Sequence, residues 1–168
     1  QFRSITSRLA VFPICASIIL FSGSCTKSDG ANDVLPESVI TVSKVLTPSQ
    51  EAMRFVATGE RQAFEAWYDS SLVSFRAATQ LYLETEDWAG YVAARIGEAA
   101  ALERLGQFED GLATATDALD IARQRVDTPL LAAKAMDAQA ENLIRLGRYD
   151  EAMLTIDEAL AIKYEVVD

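Results

Sequence analysis

Between Ala152 and Lys163 the positions Ala152, Met153, Ile156, Ala159, Leu160 and Lys163 follow one another at helical spacing, mostly in steps of three and four. That period predicts an amphipathic helix with one stripe turned toward a core. The segment carrying it, LGRYDEAMLTIDEAL (146–160), echoes LGQFEDGLATATDAL (105–119) without a gap, 41 residues earlier. Leu105, Gly106, Phe108, Leu112, Ala118 and Leu119 meet Leu146, Gly147, Tyr149, Met153, Ala159 and Leu160. A weaker copy, YDSSLVSFRAA (68–78), lies 40 residues before the second, with Tyr68, Leu72 and Ala78 in the matched places. Three copies at a period near 40 predict a stacked array.

Each copy reads as two helices. In the first, Thr47-Pro48-Ser49-Gln50 is a capping-box pattern with Pro inside it. Helix A then runs to about Glu65 and helix B from Asp69 to about Glu84. In the second, Asp87 caps helix A, which runs to Leu105; Gly106 stops it and helix B restarts at Glu109. In the third, Thr128 caps and Pro129 takes the first helical position. Helix A reaches Leu146, Gly147 takes the left-handed conformation that ends a helix, and helix B spans about Asp150 to Tyr164. Small residues recur at matched places: Gly59, Ala99 and Ala140 in helix A, Ser71, Gly111 and Ala152 in helix B, and again Ala78, Ala118 and Ala159. A small side chain at a crossing lets two helix axes come within about 8 Å instead of 10. One helix pair cannot bury its own apolar face, so the copies must stack. Gly106, Gly147, Phe108 and Tyr149 are accordingly expected as turn and core residues.

LGRYDEAMLTIDEALAI is similar to the helix-turn-helix core of the tetratricopeptide repeat (TPR), and EALAIKYEVV (158–167) resembles the end of helix B in that family's long-period type, found in kinesin light chains and MalT-like regulators. The resemblance covers roughly Thr47 to Val167. It implies an all-α fold, tandem antiparallel helix pairs stacked as a right-handed α-solenoid of about three TPR-like repeats (47–85, 86–126, 127–168). The family's helix-A aromatic is matched by Phe55, whereas Arg95 and Met136 stand in its place in the later copies.

The N-terminal segment is patterned differently. Arg3 and Arg8 precede the uncharged LAVFPICASIILF (9–21), and Ser22-Gly23-Ser24-Cys25 follows. A basic start, an apolar run and small residues before the break make a secretory signal. Small residues directly before a cysteine resemble a bacterial lipobox, which implies lipidation at Cys25 and a membrane anchor; Ser22 stands where that family usually has Leu. An uncleaved anchor and an ordinary cleaved signal are the other readings of 1–25. Residues 26–46 read as a flexible linker rich in Ser, Asp, Gly and Asn at its start, with VITVSKVL (39–46) as a short strand or a helical turn on the first repeat. The localisation that follows is export to a bacterial cell envelope, periplasmic or surface-facing.

Composition narrows the chemistry. The chain has 168 residues, half of them hydrophobic, and a formal net charge of −10; it lacks the basic footprint of a nucleic-acid binder. It has no histidine, and its two cysteines, Cys15 and Cys25, both precede the repeats. Ser-His-Asp, Cys-His and His-rich or Cys-rich metal constellations are therefore excluded there. No phosphate-binding glycine loop is present. Carboxylate pairs such as Glu109/Asp110 and Asp150/Glu151 sit at helix N-termini, where they favour the helix dipole. No cofactor, no metal and no enzymatic activity are expected.

In the resembling family the concave face is lined by helix A. Lys134, Asp137, Glu141 and Arg145 share one side of the third helix A, and Ala93, Ile96, Ala100, Glu103 and Arg104 occupy matched places in the second. They are either a binding groove for a protein or peptide ligand, or a solvated face with Asp137/Glu141/Arg145 pairing within the helix. The Lys/Asn clamp with which some family members hold a C-terminal carboxylate is not matched, because Asp137 and Glu141 stand where a cation and an amide are needed. Trp67, Trp88 and Tyr91 are either exposed anchors or packing residues at repeat interfaces. The reading is a lipid-anchored interaction scaffold. Its alternative is the N-terminal sensory part of a larger histidine kinase or transcriptional regulator, consistent with no polar capping helix after helix B and hence with further repeats downstream.

Overall fold

The computed structural model describes residues 46–166, and these form six helices with no strand among them. They are α1 (Pro48–Phe64), α2 (Tyr68–Glu84), α3 (Trp88–Arg104), α4 (Phe108–Arg125), α5 (Pro129–Arg145) and α6 (Tyr149–Glu165). The expected signal, Cys25 and residues 26–45 of the expected linker lie outside the described residues.

Local chemistry sets the boundaries. The Thr47 side chain accepts from the Gln50 amide and the Gln50 side chain accepts from the Thr47 amide, a complete capping box with Pro48 in the first turn. Asp87 accepts from the Gly90 amide at 2.9 Å. Thr128 differs from expectation: its side chain makes no capping hydrogen bond, and its carbonyl instead accepts from Leu131. Pro129 alone opens α5 from the side of conformation. At the A-to-B turns, Gly106 and Gly147 have φ of 76° and 75°. Three residues beyond each helix the amide returns to a carbonyl of the last turn, Gln107 to Leu102 and Arg148 to Leu143, each at 2.9 Å. The first copy closes the same way, Trp67 to Gln62 at 2.8 Å, although its left-handed residue is Ala66 with φ 61°.

Helices pack in consecutive antiparallel pairs, α1 with α2, α3 with α4 and α5 with α6, and each B helix then packs on the next A helix. The A helices also meet one another, α1 with α3 and α3 with α5, whereas no such backbone approach joins α2, α4 and α6. The A helices therefore line the narrower, inner side of the stack. Among the described residues the core is a series of junction clusters, such as Leu72–Phe75–Ala101–Leu102 and Ala99–Ala115–Ala138.

Those two clusters solve one problem differently. At the first junction the Phe75 ring of α2 lies between Gly59 of α1 and Gly97 of α3; a Cβ on Gly97 would stand 2.4 Å from the ring. At the second, the matched residues are Ala115 between Ala99 and Ala138. One large and two minimal residues fill what three alanines fill, as close packing demands. The helix-A register also holds. Phe55 is half-buried, Met136 fully buried, and Arg95 fills the matched place as a guanidinium paired with Glu98 and Asp117.

Tyr149 corrects the expectation of a core residue: it is 63% exposed. Leu160 is 40% exposed, while its counterpart Leu119 is 6% exposed. The reason is positional, since α5 covers that face of α4 and no described helix covers it on α6.

Candidate functional site on the inner face

Three cavities run along the C-terminal halves of the A helices. The first, about 470 Å³, is lined by Glu60 and Ala63 of α1, Tyr68 and Phe75 of α2, and Gly97, Ala100, Ala101 and Arg104 of α3. The second, about 320 Å³, is lined by Glu103, Arg104, Glu141, Ile144 and Arg145. The third, about 260 Å³, is lined by Asp137, Ala140, Glu141, Ile144 and Ile156. Arg104 belongs to the first two, and Glu141 and Ile144 to the last two, so the three lie side by side as a segmented groove across the repeats.

Glu103 organises its middle. It is 7% exposed, and its two carboxylate oxygens hold two arginines of adjacent repeats: Oε1 accepts from Arg145 Nε, and Oε2 lies 3.3 Å from Arg104 Nε. Arg104 and Arg145 are matched residues of α3 and α5. Each is about half-exposed, and among the described residues neither spends its Nη groups on a hydrogen bond. A carboxylate paired with both guanidiniums through Nε leaves their Nη groups as donors on two residues that line the second cavity. Beside them, burial and then the Glu103 carboxylate raise the Glu141 pKa above the ordinary carboxylate value.

Of the residues singled out from sequence, the structure brings Ala100, Glu103, Arg104, Asp137, Glu141 and Arg145 to this groove. Ala93 and Lys134 are exposed in the N-terminal halves of their helices and line none of the three cavities, and Ile96 packs into the junction beside Ala99 and Ala138. Pairing within α5 is not what the charged face does. Asp137 accepts from Lys163 of α6 at 2.7 Å, and Arg145 donates across to α3. Glu60, Ala63, Gly97 and Ile144 were missed. The repeat alignment carried the signal, since Glu60 is the first-copy counterpart of Ala100 and Glu141, and Ala63 that of Glu103 and Ile144.

The aromatics divide. Trp88 stacks edge-on with Tyr91 at 6.1 Å and lies under the Arg125 guanidinium at 5.1 Å, while Tyr91 donates to Asp117. Both are packing residues: Trp88 contacts Arg125 within its own repeat, and Tyr91 also packs against the cluster of Ala52, Ala78, Tyr82 and Ala94 that joins the first repeat to the second. Trp67 is 60% exposed. A second polar network ties α2 to α3 and α4: buried Glu98 accepts from Arg76 and Arg95, and Arg95 also donates to Asp117, all at 2.9 Å. Among the described residues no grouping of His, Cys, Asp and Glu is arranged to hold a metal, and no helix is long and apolar enough to cross a membrane.

The fold is that of a tetratricopeptide-repeat domain. Among solved structures the chain is similar to the TPR domain of Arabidopsis FLU, at 22% identity and a TM-score of 0.64, covering 71% of this chain and 99% of that one. It is also similar to a TPR-like protein from Chlorobium tepidum TLS, at 25% identity and a TM-score of 0.58, covering 68% of this chain and 80% of that one. No protein-family model and no curated protein matches the chain. Domains of this fold generally serve as protein–protein interaction scaffolds.

Proposed function

We propose that the protein is a non-enzymatic scaffold of the long-period TPR type that holds a peptide segment of a protein partner in the inner groove. One observation carries this reading: three neighbouring cavities share Arg104, Glu141 and Ile144 in their linings, and Gly97, Ala100 and Ala140 line the first and the third. Small lining residues leave room for a backbone. The free Nη groups of Arg104 and Arg145 suit an acidic side chain of that peptide, and Glu60 and Glu141 suit a basic one to either side. The peptide is therefore of mixed charge, and Glu103 acts by holding the two arginines in place. Nucleic acid is no ligand on this reading, because the chain is strongly acidic.

The lipobox-like Ser22-Gly23-Ser24-Cys25 supports placing this scaffold in a bacterial cell envelope, exported and lipid-anchored through Cys25. The apolar run before it supports a signal peptide.

The test is site-specific photocrosslinking in an expressing bacterium, with the photoreactive residue at Ala100 or Glu141 and, as outer-face controls, at Asp110 or Asp120. Discrete protein adducts from the groove positions alone, lost in Arg104→Glu/Arg145→Glu, are expected. Equal adducts from both faces would remove the groove from the reading. Intact mass of wild type beside Cys25→Ala reads the anchor separately: acyl mass on wild type alone is expected, and equal unacylated masses would refute it.

A further inference from the structure

The two gaps between neighbouring A helices are built from matched residues and close differently. Between α3 and α5, Glu103 pairs with Arg145, so an ion pair bridges the helices near their C-terminal ends. The matched residues between α1 and α3 are Ala63 and Arg104. An alanine offers no carboxylate, and Arg104 pairs with Glu103 of its own helix instead. Other matched positions differ as well. Tyr68, Phe75 and Ala100 stand where the second repeat junction has Phe108, Ala115 and Glu141. The first gap is left unbridged at this position, and the largest of the three inner-face cavities, about 470 Å³, lies there.

Its lining is of another kind too. The second cavity is lined by four charged residues and Ile144. The first has two aromatic rings, Tyr68 and Phe75, small residues of α1 and α3 beside them, and one charge from each A helix, Glu60 on α1 and Arg104 on α3. Both charged residues are exposed. Among the described residues Glu60 has no ion-pair partner, and Arg104 is paired through Nε alone. A largely apolar cleft of about 300–1,000 Å³ with a few fixed polar groups is the usual form of a site for a compact ligand group. Ring-on-ring contact favours an aromatic occupant over an aliphatic one, and a guanidinium at the rim adds attraction to a π face.

We propose that this cavity is the anchor pocket of the inner groove, a statement that rests on the groove being a peptide site. It takes an aromatic side chain of the partner peptide. A basic residue two positions to one side meets Glu60, and an acidic residue two positions to the other side meets Arg104. In an extended chain such residues share a face and stand about 6–7 Å apart, so one strand crossing from α1 to α3 presents all three. The opposite charges of the two helices select this segment, because a uniformly acidic or uniformly basic one meets a like charge on one side. Position 63 decides whether the pocket exists: alanine leaves it open, and a glutamate there would close it as Glu103 bridges the next gap.

The test uses the full chain and two peptides, acetyl-Lys-Ala-Trp-Ala-Asp-amide and acetyl-Asp-Ala-Trp-Ala-Lys-amide, which cover both chain directions. Each carries 5-fluorotryptophan and is titrated by fluorine NMR line broadening. One of the two should saturate, and its counterpart with alanine for tryptophan should compete about tenfold more weakly, the scale of burying one large apolar side chain. Lysine in place of its aspartate should weaken binding about threefold, a difference that Arg104→Gln removes. Ala63→Glu should close the gap through Arg104, and Ala100→Leu should fill the cavity from an exposed position; each, with the fold checked by circular dichroism, should weaken binding at least tenfold. The proposal is overturned if neither peptide saturates, if the alanine peptide competes equally, if either folded variant binds as wild type does, or if N-acetyl-5-fluorotryptophanamide alone binds as tightly as the peptides. Photocrosslinking at Glu141 reads the groove independently. Groove adducts without the aromatic preference would remove the anchor pocket alone, whereas equal adducts from both faces would remove the groove and the pocket together.

Discussion

Replacing Gly97 by alanine should change sign with the residue opposite it. In a helix interior, glycine to alanine ordinarily stabilises by about 1 kcal/mol. Here the new Cβ would stand 2.4, 2.6 and 2.7 Å from Cε1, Cζ and Cδ1 of Phe75, against the roughly 3.5–4.0 Å of a favourable carbon contact. Retreat toward α1 is limited to the space that the missing Gly59 side chain leaves, since a Cβ built there would already stand 3.1 Å from the ring. Overpacking of this kind costs about 1–3 kcal/mol. An overlap this deep falls toward the upper part of that range, so Gly97→Ala should destabilise by a net ~1–2 kcal/mol, or roughly 4–8 °C in Tm for a domain of this size. Phe75→Ala alone should cost about 3–5 kcal/mol. In the Phe75→Ala background the obstacle is gone, and Gly97→Ala should instead stabilise by about 1 kcal/mol. The coupling, ~2–3 kcal/mol, is read from a double-mutant cycle of guanidinium unfolding curves followed at 222 nm. The combination Gly59→Ala/Phe75→Ala/Gly97→Ala copies the alanine set of the second junction and should recover part of the loss. If Gly97→Ala stabilises both backgrounds equally, Phe75 is not wedged between the repeats and the account of the first junction is wrong.

Three further outcomes are expected. Ala66→Gly should raise stability by about 0.5–1 kcal/mol by relieving a left-handed alanine, whereas Gly106→Ala and Gly147→Ala should each lower it by about 1 kcal/mol from backbone strain alone, since no atom lies within 4 Å of either new Cβ; thermal melts of the three variants decide this. Glu98→Ala should destabilise by about 3 kcal/mol, because it removes the buried partner of both Arg76 and Arg95; denaturant unfolding that shows a loss below ~1 kcal/mol would refute its bridging role. Glu141 has a folded-state pKa raised by burial and by Glu103, so its contribution is most favourable at acid pH and is lost as pH rises through the folded value. Glu141→Gln should therefore stabilise at neutral pH, by less than ~1 kcal/mol after solvent screening, and the gain over wild type should vanish toward pH 4; a gain that is constant with pH would contradict it.

What the sequence determined by itself is whatever depends on a few neighbouring residues or on their repetition. The capping box at Thr47, the glycine turns at Gly106 and Gly147, and the helix ends to within a residue or two follow from local hydrogen bonding and allowed φ. The array of helix pairs follows from a period near 40 and from faces that must be buried. That Glu103, Arg104, Glu141 and Arg145 share one side of α3 and α5 was legible as well, because matched positions of stacked repeats point the same way, and all four line one cavity. The tertiary structure alone decided which partner each side chain meets. Arg145 reaches back to Glu103 in the preceding repeat and Asp137 reaches forward to Lys163, where spacing within α5 had suggested partners on the same helix. Periodicity assigns a residue to a helix face, but each face here touches two different helices, and the choice between them is made by side-chain length and the local gap. The same holds for volume. Gly59, Phe75 and Gly97 lie on three helices and only together fill one space, so their fit exists in no local stretch of the chain. Tyr149 shows the converse: it repeats Phe108 in sequence and differs from it in exposure, because burial belongs to the neighbour that covers a residue and not to the residue.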